Sequence, residues 1–96
     1  MRRSGLITVE VPSAEWLAAH GVDKWPIWTK EESDFPWYYD DTEVCYMLEG
    51  HVIVTPDGGE PVEILPGHLV TFHKGLGCRW QILKAVRKHY DFPGGE

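Results

Sequence analysis

The chain has little cysteine, no long apolar run and no basic cluster, and each shortage removes a class of protein. Only two cysteines occur among 96 residues, Cys45 and Cys78. They make neither a disulfide framework nor a CxxC metal or redox motif, and they read as reduced thiols used as small buried hydrophobes. No apolar stretch approaches the roughly 20 residues of a membrane-spanning helix. The start, Met1-Arg2-Arg3-Ser4, leads into an amphipathic segment without an apolar signal core. The expected location is therefore the cytoplasm, with no membrane partner. Nine Lys and Arg against fifteen Asp and Glu give a net charge of −6, and the basic residues are dispersed apart from Arg2-Arg3 and Arg87-Lys88. Phosphate neutralisation needs clustered cations, so nucleic acid is also excluded. Repeats, linkers and low-complexity segments are missing as well. A chain this short can bury only one core, so residues 1–96 read as one domain.

Aromatic residues, by contrast, are plentiful: five Trp, four Tyr and three Phe. Such side chains stabilise a small core, and they can also line a ligand cavity. Leu6-Ile7-Thr8-Val9-Glu10-Val11 alternates and predicts a strand, ended by Pro12. Ser13 is a helix N-cap, with Glu15 in the first turn, and a short helix Ala14–His20 stops at Gly21. Trp16, Leu17 and His20 occupy neighbouring helical positions and are expected to pack that helix on a sheet. Trp25-Pro26-Ile27-Trp28 reads as an extended edge, residues 30–34 as a solvated turn, and 35–40 as an extended aromatic segment.

From Glu43 onward, strands are predicted at 43–48, 51–56, 61–65, 69–73, 78–83 and 86–90. Glu49-Gly50, Pro56-Asp57-Gly58-Gly59, Pro66-Gly67-His68 and Lys74-Gly75-Leu76-Gly77 separate most of them. The fold class is all-β, an antiparallel sandwich or barrel with one short N-terminal helix. Its core spans about 25–90, preceded by a strand and helix over 6–20, and the tail Phe92–Glu96 is expected to fray. The strand Leu6–Val11 has no assured partner inside one subunit. Strand addition across a two-fold would satisfy it, so a homodimer is expected.

Two segments carry glycines at a matched spacing, Glu43-Val44-Cys45-Tyr46-Met47-Leu48-Glu49-Gly50 and Gly67-His68-Leu69-Val70-Thr71-Phe72-His73-Lys74-Gly75-Leu76-Gly77-Cys78. Together they resemble the two motifs of the cupin superfamily, small β-barrels that usually hold a metal on three histidines and a glutamate. Glu43 and Gly50 keep the first spacing, Gly67 and Gly75 the second, and His73 stands where proline is usual. With Lys24-Trp25-Pro26-Ile27-Trp28, Trp37-Tyr38-Tyr39-Asp40 and Val86-Arg87-Lys88-His89-Tyr90, the chain is similar to small single-domain cupins of the cupin-3 type. These are often labelled by likeness to the cupin domain of (S)-ureidoglycine aminohydrolase. The resemblance implies a conical jelly-roll barrel and, commonly, a homodimer. It implies little about a reaction.

Alignment to the motifs places the usual histidines on Trp37, Tyr39 and Cys78, and leaves only Glu43 of the metal set. A site with so few convergent donors holds zinc or iron poorly, so no cofactor is expected. The alternative is a divalent metal on Glu43 and Cys78, rescued by His73 or His89. If the motif positions point inward, Trp37, Tyr39, Glu43, Cys45, Cys78 and Trp80 line one wall, a composition that suits a small-molecule pocket. Glu43, isolated among aromatics, is the candidate general acid or base. Its structural reading is a carboxylate anchored by Arg79, Arg87 or a tyrosine hydroxyl. Arg87-Lys88-His89-Tyr90 reads as an exposed basic face.

Three functions compete. The leading one is a small cupin that binds a small organic ligand, an anion among the options, without a metal. The second is a metal-dependent or Glu43-assisted hydrolase or isomerase, aminohydrolase-like. The third is an interaction module with a filled barrel.

Overall fold

Alternating β-branched runs punctuated by glycine turns build a single antiparallel sheet system, which a computed structural model describes for residues 5–93. The readings placed on Met1-Arg2-Arg3-Ser4 and on the last three residues of the tail lie outside that range. The elements in chain order are β1 (Ile7–Glu10), α1 (Ala14–Ala19), a 3₁₀ turn (Val22–Lys24), β2 (Ile27–Lys30), β3 (Ser33–Tyr38), β4 (Glu43–Pro56), β5 (Val62–Ile64), β6 (Leu69–Phe72) and β7 (Gly77–Asp91). No helix among the described residues is long and apolar enough to cross a membrane.

The two long strands, β4 and β7, pair antiparallel along nearly their whole length, from Val44 opposite Asp91 to Pro56 opposite Cys78. Shorter strands flank each half. The order β1-β6-β4-β7-β2 runs through the first half of β4, while β5 pairs the second half of β4 and β3 pairs the first half of β7. Side chains of both halves meet in one core that includes Cys45, Met47, Val54, Ile64, Phe72 and Trp80. The fold is thus the expected cupin-type, mostly antiparallel β-barrel with one short helix.

Gly50 explains how one strand can serve both halves. The sequence separates strands 43–48 and 51–56 by a turn at Glu49-Gly50, but the chain runs straight through. Buried residues alternate at Glu43, Cys45 and Met47, then resume at Val52, Val54 and Pro56, so the inward parity flips between them. The register against β7 shifts at the same place, between Met47 and Val52. The ladder is irregular through this stretch, the five-residue advance of β4 from Met47 to Val52 being met by six residues of β7 from Lys88 to Ile82, and such bulges bend a strand. Gly50 has φ +112°, and a Cβ there would lie 2.7 Å from the Ala85 carbonyl oxygen. The separate strands expected at 78–83 and 86–90 likewise fuse into β7, and Ser33 already belongs to β3 rather than to a solvated turn.

The first strand corrects a second expectation. β1 pairs with β6 of the same chain, Ile7 opposite Phe72 and Glu10 opposite Leu69. Ile7 is 1% exposed. A partner inside the subunit exists after all, so the unpaired strand that motivated the homodimer is not there. Sequence reading missed the pairing because β6 lies some 60 residues away, beyond any local signal.

The helix forms where expected. The Ser13 side chain accepts from the Trp16 N–H, and Gly21 takes the left-handed conformation at φ +62°. No residue of α1 is buried, however, and its attachment comes from Val22 in the 3₁₀ turn that follows. Trp16 and His20 stack on each other at 3.8 Å, the His20 ring also bonds the Trp16 carbonyl, and Leu17 shares a groove with Tyr46 and Leu48 of β4.

Candidate functional site

The strand pleat sets which side chains enter the barrel. On β7, Cys78, Trp80 and Ile82 turn inward; Lys84 is exposed where the ladder to β4 is irregular, and the same parity resumes at Val86 and Lys88. On β4 the inward set begins at Glu43. These two elements bring a carboxylate and an ammonium together: Lys88 Nζ donates to Glu43 Oε2 at 3.0 Å, with both side chains almost wholly enclosed.

A cavity of about 240 Å³ opens beside this pair. Trp28 from β2 and Phe35 and Trp37 from β3 form part of its wall, and Tyr39 follows directly after β3. Trp80, Lys88 and Tyr90 come from β7, Phe92 follows it, and Glu43 opens β4. Apart from Glu43 and Lys88, every lining residue is aromatic.

Tyr39 is clamped from two sides by the loop of the second motif. Its N–H donates to the Leu76 carbonyl and its own carbonyl accepts from the Gly75 N–H, both at 2.8 Å. Gly75 turns the chain there at φ +96°, a conformation suited to glycine. The Tyr39 ring stacks on Phe72 at 4.8 Å, and its hydroxyl accepts from Trp80 Nε1 at 3.2 Å. Burial, reinforced by Glu43, holds this hydroxyl far above its ordinary pKa. It stays protonated throughout the physiological range.

The electrostatics of Lys88 follow from its neighbours. Its ammonium lies 4.9 Å from the ring centres of both Trp28 and Trp80, and 5.9 Å from that of Phe72. Aromatic faces attract cations by roughly 0.5–2 kcal/mol each, more when desolvated. Burial by itself would drive the amine toward neutrality, but Cys45 and Glu43 outweigh it and hold its pKa above the usual lysine value. With Cys45 protonated at neutral pH, the Glu43 carboxylate is the operative partner. Lys88 is accordingly a fixed ammonium, a hydrogen-bond donor and not an amine nucleophile.

The cysteines are inert at neutral pH. Burial pushes Cys45 up to about 11 against the pull of Lys88, and burial with a contribution from Asp57 does the same to Cys78. A thiol so raised supplies little thiolate for nucleophilic attack.

Of the residues singled out from sequence, Trp37, Tyr39, Glu43 and Trp80 line the cavity; Cys45 and Cys78 are buried in the adjoining core and do not. Trp37 is 53% exposed and stands at the rim, edge-on to both Phe35 and Tyr39. Glu43 is not isolated, which removes the premise of its acid–base reading. Its partner is also neither arginine nor tyrosine. Arg79 pairs with Asp34 at 2.6 Å and Arg87 with Glu49 at 3.6 Å, all on the exposed side of their strands. Lys88 was missed because a basic run reads as a solvated face. Within that run only Arg87 is exposed, while Lys88 is 4% and His89 9% accessible.

The residues on the cupin metal positions do not fit a metal ion. Trp37 offers no lone-pair donor, Cys78 lies in the adjoining core and not on the cavity wall, the Tyr39 hydroxyl is engaged by the Trp80 N–H, and Glu43 is paired with an ammonium. Neither histidine completes the set. His73 contacts Thr8 at 3.4 Å, and His89 bonds the Trp25 carbonyl at 2.8 Å on the outer side, facing the helix. Among the described residues no three His, Cys, Asp or Glu side chains come together as a ligand group.

Comparison with known proteins agrees with this fold. The model of the EutQ-like cupin domain matches residues 17–90. None of the functionally curated proteins compared with the chain matches it. A DUF861 family protein of Thermotoga maritima is 53% identical, with a TM-score of 0.88 over 90% of this chain and 98% of that one. A putative ethanolamine utilization protein Q of Salmonella typhimurium is 25% identical, with a TM-score of 0.60 over 67% of this chain and 51% of that one. The EutQ protein of Clostridium difficile, at 23% identity, shares the fold with a TM-score of 0.61 over 67% of this chain and 50% of its own. The chain thus spans about half the length of the EutQ proteins.

Proposed function

The chain belongs to the family of EutQ-like cupin domains, and on that premise we propose that it is a cytoplasmic small-molecule-binding cupin that works without the histidine-based metal site. One observation carries the reading: an aromatic cavity of about 240 Å³ with a buried Glu43–Lys88 pair in its wall. A filled barrel would leave no such space. Ligand sites for drug-sized molecules run to about 300–1,000 Å³, so this one suits a more compact guest. The aromatic wall supplies apolar contact area, and the pair supplies one acceptor and one donor that fix orientation.

Hydrolysis or isomerisation assisted by Glu43 would need a carboxylate free to trade protons. The bond to Lys88 makes it a fixed acceptor instead, which favours binding over the aminohydrolase-like reading.

Two measurements test the proposal. Titration with a panel of compact organic molecules should change tryptophan fluorescence saturably, and Trp80→Leu should weaken the response. A flat response across the panel would instead favour the filled-barrel module. Elemental analysis of protein purified without tag or chelator should find sub-stoichiometric metal, unchanged by Glu43→Gln. Near-stoichiometric metal that falls in the variant would reinstate a metalloenzyme.

A further inference from the structure

We propose that this cavity selects a net-neutral ligand offering both a hydrogen-bond donor and an acceptor, a primary carboxamide being the simplest, because the chain already supplies the cation of its own aromatic cage. The inference rests on the reading of the cavity as a ligand site. Aromatic walls by themselves would recruit a cationic guest. Here the faces of Trp28 and Trp80 are engaged by Lys88 at 4.9 Å, and Phe72 by the same ammonium at 5.9 Å. Glu43, which would otherwise draw in a cation, is neutralised by that ammonium at 3.0 Å.

The lining charges sum to zero. Glu43 and Lys88 are the ionised residues of the wall; Lys30, not itself part of the lining, reaches over the Phe35 ring at 5.5 Å, and the ion pairs Arg79–Asp34 and Arg87–Glu49 stand on exposed side chains. An anionic guest would add a second negative charge beside Glu43 that one ammonium cannot neutralise. A cationic guest would do the reverse. Either way an uncompensated charge stays in an enclosed, poorly hydrated place, which is costly. A neutral carboxamide avoids this. Its carbonyl accepts one of the three ammonium donors while its N–H donates to the carboxylate, and the ion pair stays intact.

Benzamide, benzoate and benzamidinium share a ring and a planar head group but are neutral, anionic and cationic. Binding is read from the indole N–H signals in ¹⁵N-resolved NMR spectra. Trp28, Trp37 and Trp80 line the cavity, and Trp16 and Trp25 do not and serve as internal references. In the native protein benzamide should move the three lining indoles and bind at least about a hundredfold more tightly than either ion, the scale of one buried charge left uncompensated. Glu43→Gln should turn the preference to benzoate, and Lys88→Met to benzamidinium. The double variant, uncharged and of similar shape, should prefer benzamide again.

An ion that matches or exceeds benzamide on the native protein, with the same three indoles moving, would sink the charge rule and leave the ligand site standing. Folded single variants that keep the native order would sink it too. If none of the probes moves those indoles at millimolar concentration, the ligand site itself is overturned and the charge rule with it. Where a single variant does not fold, the order on the native protein decides by itself.

Discussion

Lys88 carries a full charge into a place where a β-strand normally puts valine, and its surroundings show why it survives there. A carboxylate at 3.0 Å and aromatic faces replace the water it gave up. Removing one partner of a buried pair typically costs about 3–5 kcal/mol, whereas replacing both by neutral groups is often near neutral. We therefore expect Glu43→Gln and Lys88→Met each to lower stability by an amount of that order, and the double variant to recover most of it. Urea denaturation in a double-mutant cycle measures the coupling directly.

Cys45 gives a separate, pH-dependent expectation at the same scale. Its thiol shifts from about 9 to about 11 because burial penalises the thiolate. Below pH 9 the folded and unfolded chains both hold the proton and nothing changes. Between about pH 9 and 11 only the unfolded chain releases it, so stability falls across that window, by about 2–3 kcal/mol for a two-unit shift. Lys88, raised above its ordinary value, loses its contribution in the same direction at still higher pH. Chemical denaturation at stepped alkaline pH should show the loss, and Cys45→Ala should reduce it, with Cys78, raised likewise, keeping a share of its own. Much of this residue-scale detail was readable in advance. The inward set Trp37, Tyr39, Glu43 and Trp80 followed from motif spacing and the two-residue pleat. Lys88 did not, because its polar neighbours and the exposed Lys84 interrupt the inward alternation that begins at Cys78, and ion pairing across strands leaves no local trace.

At the scale of elements, the glycines of the two motifs serve as joints. Gly50 lets β4 switch which of its faces points inward, and the turn at Gly75 holds Tyr39 in place through backbone bonds from Gly75 and to Leu76. Alanine at 50 would meet backbone atoms of Lys84, Ala85 and Val86 at 3.0 Å or less, on a φ that alanine disfavours. Gly50→Ala should cost about 2–4 kcal/mol, whereas Gly58→Ala, also at positive φ but in open space, should cost about 1 kcal/mol. Thermal melts of the two variants side by side would show the difference. In the sequence Gly50 reads as a turn. A glycine between two alternating runs looks the same whether the chain reverses or bulges, and only the partner strand decides. The short helix was read nearly to the residue because its signals, Ser13 and Gly21, are local.

For the molecule as a whole, the barrel was legible because turn residues recur at the spacing of short strands and agree with the motif glycines. What stayed hidden was long-range pairing. β1 closes over β6 and buries Ile7 completely, so Ile7→Ala should cost about 2–5 kcal/mol even though it sits in a strand outside both motifs. Equilibrium unfolding would measure it, and a cost below 1 kcal/mol would mean that β1 is a loosely held appendage.

The long ladder between β4 and β7 also sets the order in which the protein can assemble. Its rungs join Pro56 to Cys78 at one end and Val44 to Asp91 at the other. The intervening loop is shortest at the first end, where closure entropy is smallest, and longer at every rung beyond it. Folding should begin near Pro56 and Cys78 and zip toward the end that holds Glu43 and Lys88, with the slow, millisecond-to-second kinetics of non-local β pairing. The charged end of the cavity is then among the last parts to form. Substitutions of its ion pair should speed unfolding while leaving the folding rate almost unchanged. A protein built this way can alter what it binds without altering how it folds.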